Sequence, residues 1–341
     1  PKEAMEILAE KIGKTVEEIT LEDLDKIEVY TIEDESKNIG NAFKSLKNLK
    51  ELHIYIPLDD LSFLGELPSL KVLSLSSFHS DAISYIKNLK NLEVLMLSDG
   101  KIHDFHFLSS LHQLKELHLS YLPFESLSQL PRMENLKSLN IYNDDLPNLN
   151  NLQNIPNIEE LTLGFANMME EDLKALQNLP HLKMLSIDFY SDQELNINFL
   201  NSLPHLDSLA FYNCRIPNLI PLTNLTELED LSLLNVNATD FSPVGKLDRL
   251  KYLNLSGSNI DDLTQLSGLK KLKSLLMHDT QISDLSPLQS LSQLEDLELS
   301  FATSVKDFSP ISHLTGLKNL NLYNTLISDL TPLENLSQLE T

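Results

Sequence analysis

Between Leu250 and Leu294 the sequence reads LKYLNLSGSNIDDLTQLSGLKK and then LKSLLMHDTQISDLSPLQSLSQ, two blocks of 22 residues with the same apolar spacing. The first block places Leu250, Leu253, Leu255, Ile260, Leu263, Leu266 and Leu269 where the second has Leu272, Leu275, Met277, Ile282, Leu285, Leu288 and Leu291. A fixed period of this size decides the architecture before any local propensity does. One such block cannot bury its own apolar face, so neighbouring blocks must stack and share a core.

The signature Leu-x-x-Leu-x-Leu starts at Leu24, Leu49, Leu70, Leu92, Leu114, Leu136, Ile158, Leu182, Leu206, Leu228, Leu250, Leu272, Leu294 and Leu317, giving 14 expected strands. Most spacings are 22; the exceptions are 25 after Leu24, 21 after Leu49, 24 after Ile158 and Leu182, and 23 after Leu294. Positions four and six of each block face inward on a strand of period two. Four further apolar positions bring the chain back beneath the strand. The pattern predicts an α/β leucine-rich-repeat solenoid, a right-handed β-α/3-10 superhelix with a parallel β-sheet on its concave side. Return segments such as DLSPLQSL and DFSPVGKL carry Pro at a first-turn position and predict 3-10 turns. Two segments, 80–89 and 168–179, predict short helices.

The start of the chain is different. Met5, Leu8, Ala9 and Ile12 share one helical face, Gly13 is a stop signal, and Thr20 with Asp23 has the spacing of an N-terminal cap. Residues 1–23 are therefore expected to form a helical cap, and 24–341 about 14 repeats. Leu339 would open another strand, and no C-terminal cap is recognisable. The sequence begins at Pro1 without a signal peptide and is expected to be a processed product.

Composition narrows the partners. With 26 basic and 50 acidic residues, the net charge of −24 repels nucleic-acid phosphates and anionic lipids and favours a basic or neutral partner. A single cysteine, Cys214, excludes an internal disulfide. No apolar run approaches the ~20 residues of a membrane helix. No metalloprotease, calcium-loop or phosphate-loop motif occurs, and no cofactor or metal is expected. His181, His205 and Glu227 fall in one register, which duplication of a repeat explains more simply than a metal site. His103 and His106 read as turn residues.

The runs LxxLxLxxTxIxDLxPLxxLxxL at 272–294 and 317–339, with the segment GKTVEEITLEDLDKI at 13–27, resemble the bacterial internalin-type leucine-rich-repeat family. The resemblance covers the whole chain. It implies a concave strand face that grips a protein ligand at a cell surface. One departure is clear: at position nine, where many repeat proteins of this class carry a ladder of Asn, this chain has Gly100, Cys214, Ser258, Thr280 and Thr325.

The outward columns supply candidate ligand contacts. Column seven holds Tyr142, Tyr212, Leu234 and His278; column eight holds Phe165 and Phe189, followed by Tyr190; column three adds Met184 and Tyr252, and column five Leu276. Exposed aromatics amid scattered charge are what a protein-binding hot spot requires. Column two, with Lys183, Lys251, Lys273 and Lys318 beside Glu159, Glu229 and Glu295, reads as a solvated rim. The expected function is a non-enzymatic recognition module that binds a protein or peptide on its concave face, secreted or on a bacterial surface, as a monomer without membrane insertion. The alternative is a cytoplasmic regulatory scaffold of the 22-residue-repeat phosphatase-regulator type. A hydrolase would need a converging set of acid, base or metal ligands, and the sequence offers none.

Overall fold

Alternating apolar and polar residues at three to seven of each repeat form one short strand, and the parallel sheet built from these strands orders everything else. The computed structural model describes residues 2–35, 38–168 and 172–341. They form two compact units, the first up to Ile158 and the second from Glu159 to Thr341. The first holds strands β1 (Val29–Ile32), β2 (Glu51–Ile54), β3 (Val72–Ser76), β4 (Val94–Ser98), β5 (Glu116–Ser120) and β6 (Ser138–Tyr142). The second holds β7 (Glu160–Phe165), β8 (Met184–Phe189), β9 (Ser208–Tyr212), β10 (Asp230–Leu234), β11 (Tyr252–Asn254), β12 (Ser274–Leu276), β13 (Asp296–Glu298) and β14 (Asn319–Asn321). Within each unit the strands pair in parallel and in chain order. This is the leucine-rich-repeat solenoid that the period predicts.

The register is strict. Leu231, Leu253, Leu275, Leu297 and Leu320 lie side by side at position four of β10 to β14. All seven apolar positions of the 250 and 272 blocks are buried. The return segments are 3-10 turns, as at Ser242–Lys246 and Ser286–Ser290. An Asp two residues ahead caps each of these turns: Asp240 accepts from the Ser242 amide at 2.7 Å, and Asp284 from the Ser286 amide at 2.8 Å. The segment 80–89 does contain a helical turn, α3 (Ile83–Ile86). In the segment 168–179, Met169, Glu170 and Glu171 lie outside the described residues. Its remainder, Asp172–Asn178, is a 3-10 turn rather than the expected α-helix.

At the N-terminal end, α1 (Lys2–Ile12) and α2 (Leu21–Asp25) precede β1. Leu8 is fully buried, and the Lys11 ammonium lies 5.0 Å from the Tyr30 ring centre. Tyr30 meets Phe43 edge-on, and Phe43 stacks on Phe63 at 4.4 Å. The Asp23 carboxylate accepts from the Thr20 amide and the Lys14 ammonium, at 3.0 and 2.7 Å, closing the capping box. One expectation is corrected here. Leu24 belongs to α2, and β1 aligns Tyr30 with Leu52 and Ile32 with Ile54. The first signature therefore starts at Ile27, 22 residues before Leu49, so the apparent spacing of 25 disappears.

The asparagine ladder is absent from position nine and present elsewhere. Ser258, Thr280 and Thr325 donate to the carbonyl three residues back in their own repeat, at 2.6–3.0 Å. Between repeats of the first unit, the residue just ahead of position one takes the ladder's role. Asn48, Asn91, Asn135 and Asn157 each donate a side-chain amide to the carbonyl 23 residues earlier, at 2.8–3.1 Å. Cys214 donates its thiol to the Tyr212 carbonyl at 3.0 Å, and burial pushes its pKa up to about 12. It is a packing residue and a poor nucleophile.

Replacing Leu275 with Ala removes a fully buried position-four side chain and should cost about 2–5 kcal/mol in chemical denaturation; a loss under about 0.5 kcal/mol would reject its inward placement. The rim predicts a pH dependence. Glu93 bridges Lys115 and Lys71 at 2.6 and 2.8 Å, and these bonds lower its pKa from 4.5 to about 2. A carboxylate with a depressed folded pKa stabilises fully above its unfolded value, and that contribution fades as pH falls through the folded one. The melting temperature should therefore drop between pH about 5 and 2, and Glu93→Gln should flatten that drop. An unchanged profile in Glu93→Gln would mean that the bridge contributes nothing.

Candidate ligand-binding face

Period two turns positions three, five and seven away from the leucine core, so the register itself assembles an open face. From β7 to β14 no Lys or Arg occupies any of these outward positions, whereas Glu160, Asp188, Asp230, Asp296 and Glu298 do. The lysines stay on column two, tied to glutamates of the adjacent repeat: Lys183 to Glu159 at 3.0 Å, and Lys251 to Glu229 and Lys318 to Glu295 at 2.6 Å.

Eight of the ten residues expected at the face keep solvent contact. Met184, Tyr212, Leu234, Tyr252 and Leu276 are half-buried on β8 to β12, while His278 and Tyr190 are exposed just past strand ends. Tyr142, also half-buried, lies in the first unit at the end of β6. Phe165 and Phe189 are corrected: both are fully buried. In most repeats the residue at position eight turns left-handed, as at Asn213 (φ 57°), Asn235 (φ 55°) and Asp279 (φ 51°). In β7 and β8 the strand runs one residue further and position eight stays extended. The alternation then drives Phe165 and Phe189 inward, where their rings meet at 5.2 Å.

The structure draws together two groups. On β9 to β11, Asp230 has Ser208 and Tyr252 as Cα partners across the sheet, and Leu234, four residues along the same strand, pairs with Tyr212. Burial raises the Tyr252 pKa, and the nearby Tyr212 raises it further. Partial loss of solvation also raises the Asp230 carboxyl, with repulsion from Glu229 adding to it, although the residue keeps an exposed side. Ser232, between Asp230 and Leu234, is 8% exposed, and its hydroxyl has no hydrogen-bond partner among the described residues. Further along, His278 accepts or donates at Nδ1 to Ser300 (2.7 Å) and meets Phe301 edge-on at 5.1 Å; Phe301 in turn meets Tyr323 at 5.4 Å. Asp230, Ser232, Phe301 and Tyr323 were not among the expected contacts. Column membership alone would have found Asp230 and Tyr323.

Other features do not converge. His205 approaches Glu227 at 3.4 Å, yet no group of three metal-ligating side chains exists among the described residues. No helix there is long and apolar enough to cross a membrane. A cleft of about 410 Å³ in the first unit, lined by Tyr121, Pro123, Glu125, Asp144 and Pro147 among others, sits past the ends of β5 and β6, away from the outward columns. Asn143 braces the loops there, accepting from the Leu122 amide at 3.2 Å and donating to the Phe124 carbonyl at 3.3 Å.

Comparison with known proteins matches this geometry to solved structures. An internalin from Listeria monocytogenes is 27% identical, with a TM-score of 0.61, over 99% of this chain and 93% of that one. A leucine-rich-repeat protein from Leptospira interrogans is 20% identical with a TM-score of 0.56, over 90% and 93% of the two chains. The leucine-rich-repeat ectodomain of a plant receptor kinase from Arabidopsis thaliana, solved in complex with Casparian strip integrity factor 2, is 19% identical with a TM-score of 0.53; the match spans 91% of this chain and 39% of that one. No protein-family model matches the chain, and no curated protein does.

The placement of the aromatics is open to a direct check. Phe189→Ala should destabilise by about 3–5 kcal/mol, as loss of a buried ring does. Tyr212→Ala should stay within about 0.5 kcal/mol. Urea titration of both variants separates the cases: a collapse in Tyr212→Ala would make that ring core, and an unaffected Phe189→Ala would overturn its inward turn.

Proposed function

We propose that this chain, whose leucine-rich-repeat fold is similar to that of a bacterial internalin, is a non-enzymatic recognition module whose concave face in the second unit binds a protein or peptide ligand. The observation that carries this reading is the presence of half-buried Met184, Tyr212, Leu234, Tyr252 and Leu276 at outward positions of the successive strands β8 to β12. Such side chains have apolar area left to bury and little rotamer freedom left to lose, the combination that makes interface hot spots. Leucine-rich-repeat neighbours include a plant receptor ectodomain solved in complex with Casparian strip integrity factor 2, which supports a binding use of the fold. The internalin likeness supports a secreted or surface location.

Capture experiments should compare the wild-type chain with Leu234→Asp/Leu276→Asp, using surface extracts and cytosol, with cross-linking to map the contact. A partner from the surface extract, retained by wild type, lost by the double variant and cross-linked to β8 to β12, is the expected result. Equal capture by both would reject the concave face. Capture from cytosol alone would favour the regulatory-scaffold reading.

A further inference from the structure

Asp230 differs from the other carboxylates on the outward columns of β9 to β13. Asp296 accepts from the Asn319 side-chain amide, and Glu298 accepts from the Ser300 amide and the Asn321 side chain, both at 2.7 Å. Asp230 has no side-chain hydrogen bond and no ion pair among the described residues, and only the through-space charge of Lys251 offsets its own. The nearest internal cation, Lys251, is held by Glu229 at 2.6 Å on the rim. The carboxylate thus stands beside Tyr252, its lateral neighbour on β11, and Tyr252 in turn lies within electrostatic reach of Tyr212 at the far end of β9; on the β9 side the neighbour of Asp230 is Ser208.

We propose that Tyr212, Asp230 and Tyr252 form a subsite for an arginine side chain carried by a basic, extended segment of the protein ligand. The inference rests on the reading that the concave face binds protein and adds the chemistry of the ligand. Three observations lead to it. First, the outward columns of the second unit carry five carboxylates and no Lys or Arg, within a chain of net charge −24, so the complementary surface is cationic. Second, the Tyr252 ring beside the Asp230 carboxylate, with the Tyr212 phenol further along the face, suits a guanidinium better than an ammonium. Its planar fork bonds a carboxylate through two N–H groups and stacks on an aromatic face at the same time. Third, the Ser232 hydroxyl, buried on the same side of β10 as Asp230, has no hydrogen-bond partner among the described residues. A buried hydroxyl left unpaired is costly, and a guanidinium or peptide N–H arriving at the cluster would satisfy it. Partial desolvation and repulsion from Glu229 raise the Asp230 pKa despite the pull of Lys251, so a cation brought by a ligand would be favoured there.

The test uses the full chain with tyrosine rings labelled for NMR and three probes: N-acetyl-arginine amide, its lysine counterpart, and the neutral isostere N-acetyl-citrulline amide. Tyr212→Phe and Tyr252→Phe assign the two signals among nine tyrosines. The expected result is a saturable shift of both rings with the arginine probe, weaker with lysine and absent with citrulline. Asp230→Asn should weaken it about tenfold, while Asp144→Asn/Asp145→Asn, which removes more charge in the first unit, should leave it unchanged. Uniform shifts of all tyrosines, no saturation, or equal binding by Asp230→Asn would overturn the subsite. Its failure is separable from failure of the concave-face reading. A ligand lost by Leu234→Asp/Leu276→Asp but kept by Asp230→Asn leaves the face standing and removes the arginine site. Arginine binding without any such ligand dependence does the reverse.

Discussion

Within each unit, the carbonyl at position two of a repeat accepts two amides from the next. Lys251 O takes the Lys273 and Ser274 amides at 2.8 and 3.0 Å; Glu229 O takes Lys251 and Tyr252 at 2.8 and 3.1 Å; Glu295 O takes Lys318 and Asn319 at 2.7 and 3.0 Å. A parallel strand held at its first residue in this way cannot slip by one position without moving every leucine to the wrong face. From this lock follow the columns. Leu253, Leu275 and Leu297 stack because their carbonyl-anchored starts stack, and the same constraint lines up Tyr252, Ser274 and Asp296 on the other face. Even the rim obeys it, since Glu229 and Lys251 face each other only because both occupy position two.

The division of labour between the sheet's open face and the returns then has a physical basis. Charges on the returns are consumed locally. Asp60, Asp240, Asp262 and Asp329 each accept a hydroxyl or amide two residues ahead, and those bonds lower their pKa values. Column-two charges are consumed between repeats. Outward positions three, five and seven have no such built-in partner, because their neighbours in both directions are the same positions of adjacent repeats. Polar groups there must find each other by chance of sequence, as Glu298 and Asn321 do, or remain available, as Asp230 and Ser232 do. A rigid backbone displaying unpartnered groups loses little freedom on binding, which is the energetic advantage of the arrangement.

Much of the fold was legible because leucine at a fixed period has one physical meaning. The burial of Leu272, Leu275, Met277, Ile282, Leu285, Leu288 and Leu291 follows from the spacing alone, as do the Asp-capped 3-10 returns. The first repeat departs from the signature for an equally physical reason. Leu24, Ile27 and Val29 fit the signature as text, yet Leu24 is needed under α2 and Val29 is 45% exposed. A capping helix is amphipathic too, and its own apolar residues imitate a repeat. The half-buried outward aromatics could be placed by column counting, but which carboxylate lacks a partner depends on side chains one repeat away, where spacing carries no information.

Position eight shows where the reading of one repeat stops being sufficient. Tyr121 and Phe301 adopt φ of 51° and 61° there, a region costly for aromatic residues, and both are exposed. Phe165 and Phe189 occupy the same column and are core. Residue type does not separate these pairs. Adjacency does: Phe165 and Phe189 are Cα partners, so extending one strand by a residue gives the other something to pair with and pack against. The choice is cooperative between neighbours, and the spacings of 24 that begin at Ile158 and Leu182 provide the extra chain that the longer strands and their exits require. Phe301 has no such neighbour: Asp279 before it and Asn324 after it both take the left-handed turn, so its ring stays on the surface between His278 and Tyr323. An aromatic at this column therefore becomes core or surface according to the repeat beside it.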